Sequence, residues 1–396
     1  MKLLYIALRL DCTGDGASIY AMSNVLAFAS QIQTDVITLQ APQTSEGWTA
    51  LHQARVSLTA ITPEPYHPWR ARLLLLKRGH NIFRESEQLQ QAVQKQVTYQ
   101  KYTIVVLELA TAYLMPLIRL WTPQTRIILS QHNYEYSNHL EYIRYRIKHP
   151  LKKIGYRMAN YKYQSVEHTY IQQADAVIAI SEADCRQFQC LRDREIGTYV
   201  MPPALSLKPE KTKYADTCTR ILFVGMMDWY PNIQGVLQFV KQVFLPLVRK
   251  NPVYHLYIVG KQPSSEIRAL QSDHITVTGA VPYIDDYVRL CDLLVVPNTL
   301  GGGVKIKIME AIQKGIPLLI HKYSAVGYEE IVPFSIVQNM QQFIDRIETY
   351  SEERETHIQA LNKARIALAT RIVQNQQLAH LIIHQFANVP FTSKTT

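Results

Sequence analysis

Cysteine is scarce in this chain. The five present, Cys12, Cys185, Cys190, Cys218 and Cys291, are odd in number, scattered and without the spacing of a metal site. This excludes a disulfide framework and fits a reducing compartment in which the thiols stay unpaired. Long apolar runs are missing as well. A bilayer span needs about 18 uninterrupted apolar residues, whereas "RARLLLLKRG" has four leucines between basic residues. The opening "MKLLYIALRLDC" has a short apolar run, broken by Arg9, and no small-residue cleavage site, so it reads as a first β-strand and not as a signal peptide. The expectation is a cytoplasmic protein without a transmembrane segment. No fixed-period repeat or low-complexity segment is present, and the tail is only mildly Gln-rich. Acid is outnumbered: 32 Asp and Glu against 42 Lys and Arg give a formal charge of +10, so an anionic partner such as phosphate, nucleic acid or a lipid surface is expected.

Apolar material is ample, at 47% of 396 residues, and at roughly 150 residues per domain the length predicts two domains. Short apolar, β-branched runs alternate with longer helical patterns. The candidate strands are "LLYIALR", "SQIQTDVITL", "YTIVVLEL", "RIILSQHN" and "ADAVIAIS", and later "TRILFVG", "YHLYIVG", "ITVTGA", "DLLVVP" and "PLLIH". Continuous apolar strands separated by helices predict buried parallel sheets in α/β units. Between the two series lies "VMPPALSLKPEKTKYADTCT", rich in proline and charge, a linker candidate. The reading is two Rossmann-like doubly wound domains facing a cleft, residues 1–205 and 206–375, with a helical tail at 376–396 whose "LAHLIIHQFA" is apolar enough to pack back on the first domain, making that domain discontinuous.

In such sheets ligands bind beyond the carboxyl ends of the strands. The second half has glycines at those places, Gly225, Gly260 and Gly279, and then "PNTLGGGVKIKIMEAIQKGIPLLI". Gly301, Gly302 and Gly303 lack Cβ atoms, so their N–H groups can approach a polyanion, and the helix that follows presents its positive end. Lys305 and Lys307 add full charges. Glu310, about a turn further on, suits a ribose diol better than a phosphate. Together they describe a site for a nucleoside diphosphate.

These segments, "FVGMMDWYPNIQG", "IVGKQP", "VTGAVPYIDDYVRLCDLLVVP" and "GGGVKIKIMEAIQKGIPLL", stand in the order found in family 4 glycosyltransferases, and the second half resembles the nucleotide-sugar domain of that family. The first half is similar more loosely, through Gly14-Asp15-Gly16, "SQHNYEY" and "VEHTYIQQADAVIAISEAD". The resemblance implies the two-domain GT-B fold and a generally retaining, metal-independent hexosyltransferase that uses a nucleoside-diphosphate sugar as co-substrate and needs no cofactor. It places Gly14, Gly16, Asn232, Gly302, Gly303, Lys305 and Lys307 at the donor diphosphate, and Gly279, Val281 and Glu310 at the nucleoside. His132 and Asn133 fall at the transferred sugar, as the catalytic pair. Glu167 and Ser181 match positions that are structural more often than chemical. The closest approach to a metal-binding Asp-x-Asp is Asp285-Asp286, which reads as a helix start. One departure stands out: many members carry a glutamate eight positions before the one matching Glu310, and here Gly302 occupies that position. This leaves open a protein that binds donor and transfers nothing.

The basic excess is concentrated in "HLEYIRYRIKHPLKKIGYRMANYKYQ", where Arg144, Arg146, Lys148, Lys152, Lys153, Arg157 and Lys162 face one acid and alternate with five tyrosines. Residues 66–84 have the same character. Such a segment suits an anionic membrane surface, so peripheral attachment to the inner face of the cell membrane and a glycan or lipid-linked acceptor are expected, in polysaccharide or glycolipid synthesis. Nucleic-acid binding ranks lower, because it leaves the glycine and lysine constellation unused. A non-catalytic partner subunit and a nucleotide-sugar epimerase stay open, as does self-association.

Overall fold

A computed structural model of the chain describes residues 1–13, 15–62, 86–191, 197–211 and 213–388. The chain divides into two compact units, Met1–Leu205 with Ile372–Thr396, and Ser206–Arg371.

The first unit is built on a seven-stranded sheet of order β3-β2-β1-β4-β5-β6-β7, parallel throughout. Its strands are β1 (Lys2–Arg9), β2 (Gln33–Gln40), β3 (Ser57–Ala60), β4 (Ile104–Glu108), β5 (Arg126–Gln131), β6 (Ala176–Ala179) and β7 (Thr198–Val200). Leu4, Ile6, Val105, Leu107, Ile127 and Leu129 are buried on the central strands, as expected for a sheet covered on both faces. The chain winds outward from β1 in both directions, so the switch in strand order lies between β1 and β4. Beyond β1, the first helix (Gly16–Ala29) is capped by Asp15, whose side chain accepts from the Ser18 amide and pairs with Arg9.

The second unit has a six-stranded parallel sheet of order β10-β9-β8-β11-β12-β13. Its strands are β8 (Arg220–Val224), β9 (His255–Val259), β10 (Ile275–Gly279), β11 (Leu293–Val296), β12 (Leu318–His321) and β13 (Ile336–Val337). Here the switch falls between β8 and β11. Ile221, Phe223, Leu256, Ile258, Leu293 and Val295 form the core with Phe239 and Phe343, whose rings meet edge to face at 5.6 Å.

The ten strands expected from the sequence are all present. Three more were not foreseen: β3, β7 and β13 are short edge strands, without the continuous apolar run that marks the central ones. The linker candidate is irregular, as expected, yet its second half is fastened down. Buried Lys211 donates from Nζ to the Cys291 carbonyl at 2.5 Å, and the Glu210 and Lys211 amides donate to the Lys314 carbonyl. Orphan carbonyls at two helix ends thereby find donors.

Candidate functional site

In the second unit the glycines after β8 and β9 touch. A Cβ on Gly260 would run into the Gly225 carbonyl oxygen, and one on Gly225 would stand 2.6 Å from Asn232 Nδ2 and 3.2 Å from Lys307 Nζ. Bare backbone here lets two strand ends and two polar side chains share one small space. Asn232 lies in the first turn of a helix (Tyr230–Phe239) whose N-terminus faces that space, and it is buried. Its Nδ2 donates to the Met226 carbonyl at 2.9 Å, while its Oδ1 accepts from Lys307 Nζ at 3.1 Å and from Asn298 Nδ2 at 3.0 Å. Asn298, just beyond β11, has a buried Oδ1 without a partner among the described residues. Asn232 and Asn298 therefore bridge the two strands that flank the switch.

Lys307 and Glu310 sit one turn apart on the helix Ile306–Lys314, which follows the glycine loop. No side chain caps this helix, so its leading amides keep the positive end of the dipole open to an anion. The Lys307 ammonium lies 4.6 Å above the Phe223 ring. Burial, and then the charge of Lys305, pull its pKa down to about 7, with Glu310 opposing. Burial pushes the Glu310 carboxyl up to about 7, helped by Asp285 and opposed by Lys314 and Lys307. Among the described residues the Glu310 carboxylate makes no hydrogen bond, whereas its neighbours Lys314 and Asp285 pair with each other.

Lys305 behaves differently from expectation in one respect. Its side chain is buried and turns back into the glycine loop, donating to the Gly301 carbonyl at 2.5 Å and the Gly302 carbonyl at 2.7 Å, 5.6 Å from the Trp229 ring centre. Gly301 and Gly303 adopt φ of +83° and +76°, the left-handed region that a side chain would strain, and this geometry wraps the loop round the ammonium. Lys305 holds the loop's shape as well as its charge. Gly279 ends β10 and its carbonyl accepts from the Gly260 amide; half-buried Val281 follows. Asp285 opens a helix (Asp285–Leu290), as read from the sequence.

In the first unit, Glu108 ends β4 at the switch. It is buried, and its Oε2 accepts from the Leu8 amide of β1 at 3.1 Å. Its Oε1 lies 3.6 Å from Nε2 of His132, which follows β5 and meets the Tyr20 ring edge to face at 5.0 Å. Asn133 is next to it and half-buried. The segment after this pair is clamped. Glu167, buried, accepts from the Glu135 and Tyr136 amides at 3.1 Å each, which caps the helix Glu135–Arg146. Burial raises the Glu167 pKa to about 8 against the pull of those two bonds. Ser181 caps the helix Glu182–Cys190 through the Asp184 amide. Both residues thus have the structural roles expected of them. Gly16 is the first residue of the first helix. Gly14 and residues 66–84 lie outside the described residues.

Residues 218–352 match the family model described as "Glycosyl transferases group 1". The span covers 135 of the 396 residues and contains Asn232, Asn298, Lys305, Lys307 and Glu310. A comparison with curated proteins gives no match. Solved structures are similar over nearly the whole chain. Sucrose-phosphate synthase from Thermosynechococcus elongatus superposes with a TM-score of 0.66 at 14% identity, covering 98% of this chain and 100% of that one. HepE from Anabaena, in complex with UDP-glucose, gives 0.63 at 15% identity, covering 97% and 100%. WaaG, a glycosyltransferase involved in lipopolysaccharide biosynthesis, gives 0.62 at 12% identity, covering 96% and 99%. The two parallel-sheet units have the fold of GT-B glycosyltransferases, and the second carries the group 1 domain.

Within the group 1 domain the structure gathers Asn232, Lys305, Lys307 and Glu310 about the switch, with Gly279 two strands away from β8. His132 and Asn133 belong to the other unit. Sequence reasoning missed Asn298 and Glu108. Each is a polar residue ending an apolar strand beside the switch, and that position was the available signal.

Proposed function

We propose that the protein is a glycosyltransferase that moves a sugar from a nucleoside-diphosphate sugar to a hydroxyl acceptor, retaining anomeric configuration without a divalent metal, in the synthesis of a cell-surface polysaccharide or glycolipid. The observation that carries this reading is Lys307, a lysine with a depressed pKa held by Asn232 at the switch point and one turn from an unpartnered glutamate. A diphosphate there would meet the Lys307 ammonium and the uncapped start of the helix Ile306–Lys314, with the Lys305 charge behind the Gly302 and Gly303 backbone. Glu310 would accept from the ribose hydroxyls, and the backbone from Gly279 to Val281 would hold the base.

Such charges are fixed before the reaction, so they stabilise the diphosphate as negative charge grows on the leaving oxygen, at no cost in reorganisation. To His132 we assign contact with the transferred sugar or its acceptor, and to Asn133 a neighbouring hydrogen bond. Glu108 Oε1, 3.6 Å from His132 Nε2 and beyond hydrogen-bond length, faces the imidazole. HepE, bound to UDP-glucose and to UDP with glucose in its own structures, supports a nucleotide sugar as donor.

A second reading, a donor-binding partner subunit that transfers nothing, is favoured by one observation: Gly302 offers the donor no carboxylate, and its carbonyl is engaged by Lys305. Thermal unfolding with UDP, GDP, ADP, CMP and their sugar conjugates tests the donor site, because a ligand that binds the folded state raises the midpoint by mass action. Stabilisation by one nucleotide, lost in Glu310→Ala, is expected; no stabilisation by any would overturn the reading. Release of free nucleotide in the presence of acceptor then separates transferase from partner subunit.

A further inference from the structure

The helix Pro150–Gln173 has two faces of opposite character. One is buried in the first unit and contains Asn160, Tyr163, Glu167, Tyr170 and Ile171. On the other, Leu151, Ile154, Met158 and Tyr161 are 73%, 56%, 67% and 71% exposed. Their spacing of three and four residues sets them in one row, on the side of the helix away from the buried set. The row is about 15 Å long at the α-helical rise. A water-soluble surface helix would place polar residues there, so four exposed large apolar side chains in line mark an interaction surface.

Charge identifies the partner. Exposed Arg157 and Lys162 flank the row, one on each side, and between Tyr142 and Val166 the chain has seven Lys and Arg and no Asp or Glu. A second copy of this face would bring like charges together around the apolar contact, which costs stability. A nucleic acid would answer the cations but leave the aliphatic side chains in water. An anionic bilayer satisfies both, with apolar side chains entering the boundary between headgroups and acyl chains and cations lying among the lipid phosphates.

We propose that the outward face of this helix docks the protein in the plane of an anionic lipid bilayer, with Leu151, Ile154, Met158 and Tyr161 inserted and Arg157 and Lys162 on the headgroups. The sequence predicted a basic membrane surface from Arg144, Arg146, Lys152, Lys153 and Arg157. In the structure the apolar row is added to it, and Lys153 is partly turned aside, donating to the Arg144 carbonyl at 3.4 Å. The Arg146 side chain lies outside the described residues.

The test is flotation of the full chain with phosphatidylcholine vesicles, with and without phosphatidylglycerol. The wild type is expected to float only with the anionic vesicles. Each removed charge lowers partitioning about fivefold, so Arg157→Gln with Lys162→Gln should reduce it roughly 25-fold. Ile154→Ser with Met158→Ser should abolish it even at low salt, with the unfolding midpoint unchanged because both positions are exposed. Equal flotation on neutral vesicles, or flotation unaffected by the Ile154→Ser and Met158→Ser changes, overturns the proposal. So does finding that those two changes only convert a dimer to a monomer in size-exclusion chromatography, which would identify a second copy, or RNA binding that survives them, which would identify a phosphate backbone. Nucleotide-induced stabilisation of the same variants reports on the group 1 domain alone, so this surface and the donor site succeed or fail separately.

Discussion

A lysine placed beside another lysine in a half-buried site does not keep its proton cheaply. Lys307 titrates near 7 where an exposed lysine titrates near 10.5. Between those values the unfolded chain holds a proton that the folded chain has released, so this group's contribution to stability rises with pH. A bound diphosphate restores the proton, because negative charge beside Nζ favours the ammonium. Nucleotide binding above pH 7 is therefore expected to take up close to one proton, and affinity should fall by up to about tenfold per pH unit. Calorimetric titrations at pH 8 in two buffers of different ionisation enthalpy read that uptake directly; equal heats in both would remove Lys307 from the phosphate site. Glu310 has the opposite sign. Its folded pKa is raised from 4.5 to about 7, so its contribution to stability falls as pH rises through that interval, and Glu310→Gln should raise the unfolding midpoint at pH 8 while weakening nucleotide binding. A residue that destabilises the empty protein and strengthens the complex is a binding residue, which a merely structural glutamate would not imitate. Of these side chains the sequence disclosed Lys305, Lys307 and Glu310, because glycines, cations and a carboxylate in that order carry a chemical meaning. It did not disclose that Lys305 folds back onto the loop's own carbonyls, since that depends on the positive φ of Gly301 and Gly303.

Strand ends decide the site at the next scale. The central strands were legible because burial on both faces demands continuous apolar runs, while β3, β7 and β13 were not, because an edge strand of two to four residues has no such demand. The same logic hid Glu108. In "YTIVVLEL" it reads as the polar end of a strand, and only the register of β4 against β1 brings the Leu8 amide to its carboxylate. Glu108→Gln keeps that hydrogen bond but changes the charge facing His132, and is expected to lower transfer at least tenfold, the scale of a misaligned acid–base group, with nucleotide affinity unchanged. Affinity that falls with it would make Glu108 a support of the fold instead. Gly225 offers the complementary case in the group 1 domain. In Gly225→Ala the new methyl must displace Asn232 and crowd Lys307, at a cost of about 1–3 kcal/mol, and nucleotide stabilisation should disappear although no charge has been removed.

The division into two units was legible as a gap in the strand series, and the GT-B likeness is a whole-chain property that no single motif carries. The segment between the series was harder to read, because proline and charge suggest a solvated linker, and the capping work of Lys211 is invisible without the helix ends it serves. The last helix, Tyr350–Asn388, leaves the second unit at Arg371, which donates to the Gly327 carbonyl at 2.8 Å and lies 5.4 Å from the Tyr328 ring centre. Four residues later Asn375 donates to the Pro202 carbonyl at 2.7 Å, and Ala379, Ile382, Ile383 and Phe386 are buried in the first unit. Each of the three large side chains contributes about 1.5–3 kcal/mol by burial, so a chain ending at Arg371 should lose on the order of 5 kcal/mol of first-unit stability. Denaturant unfolding followed by proteolysis near His132 is expected to shift to much lower concentrations, while stabilisation by nucleotide persists, because every residue assigned to the donor precedes the cut and most lie in the group 1 domain. Loss of both together would mean that the two units fold as one cooperative body, and that the final helix supports the donor site as well as the sheet it covers.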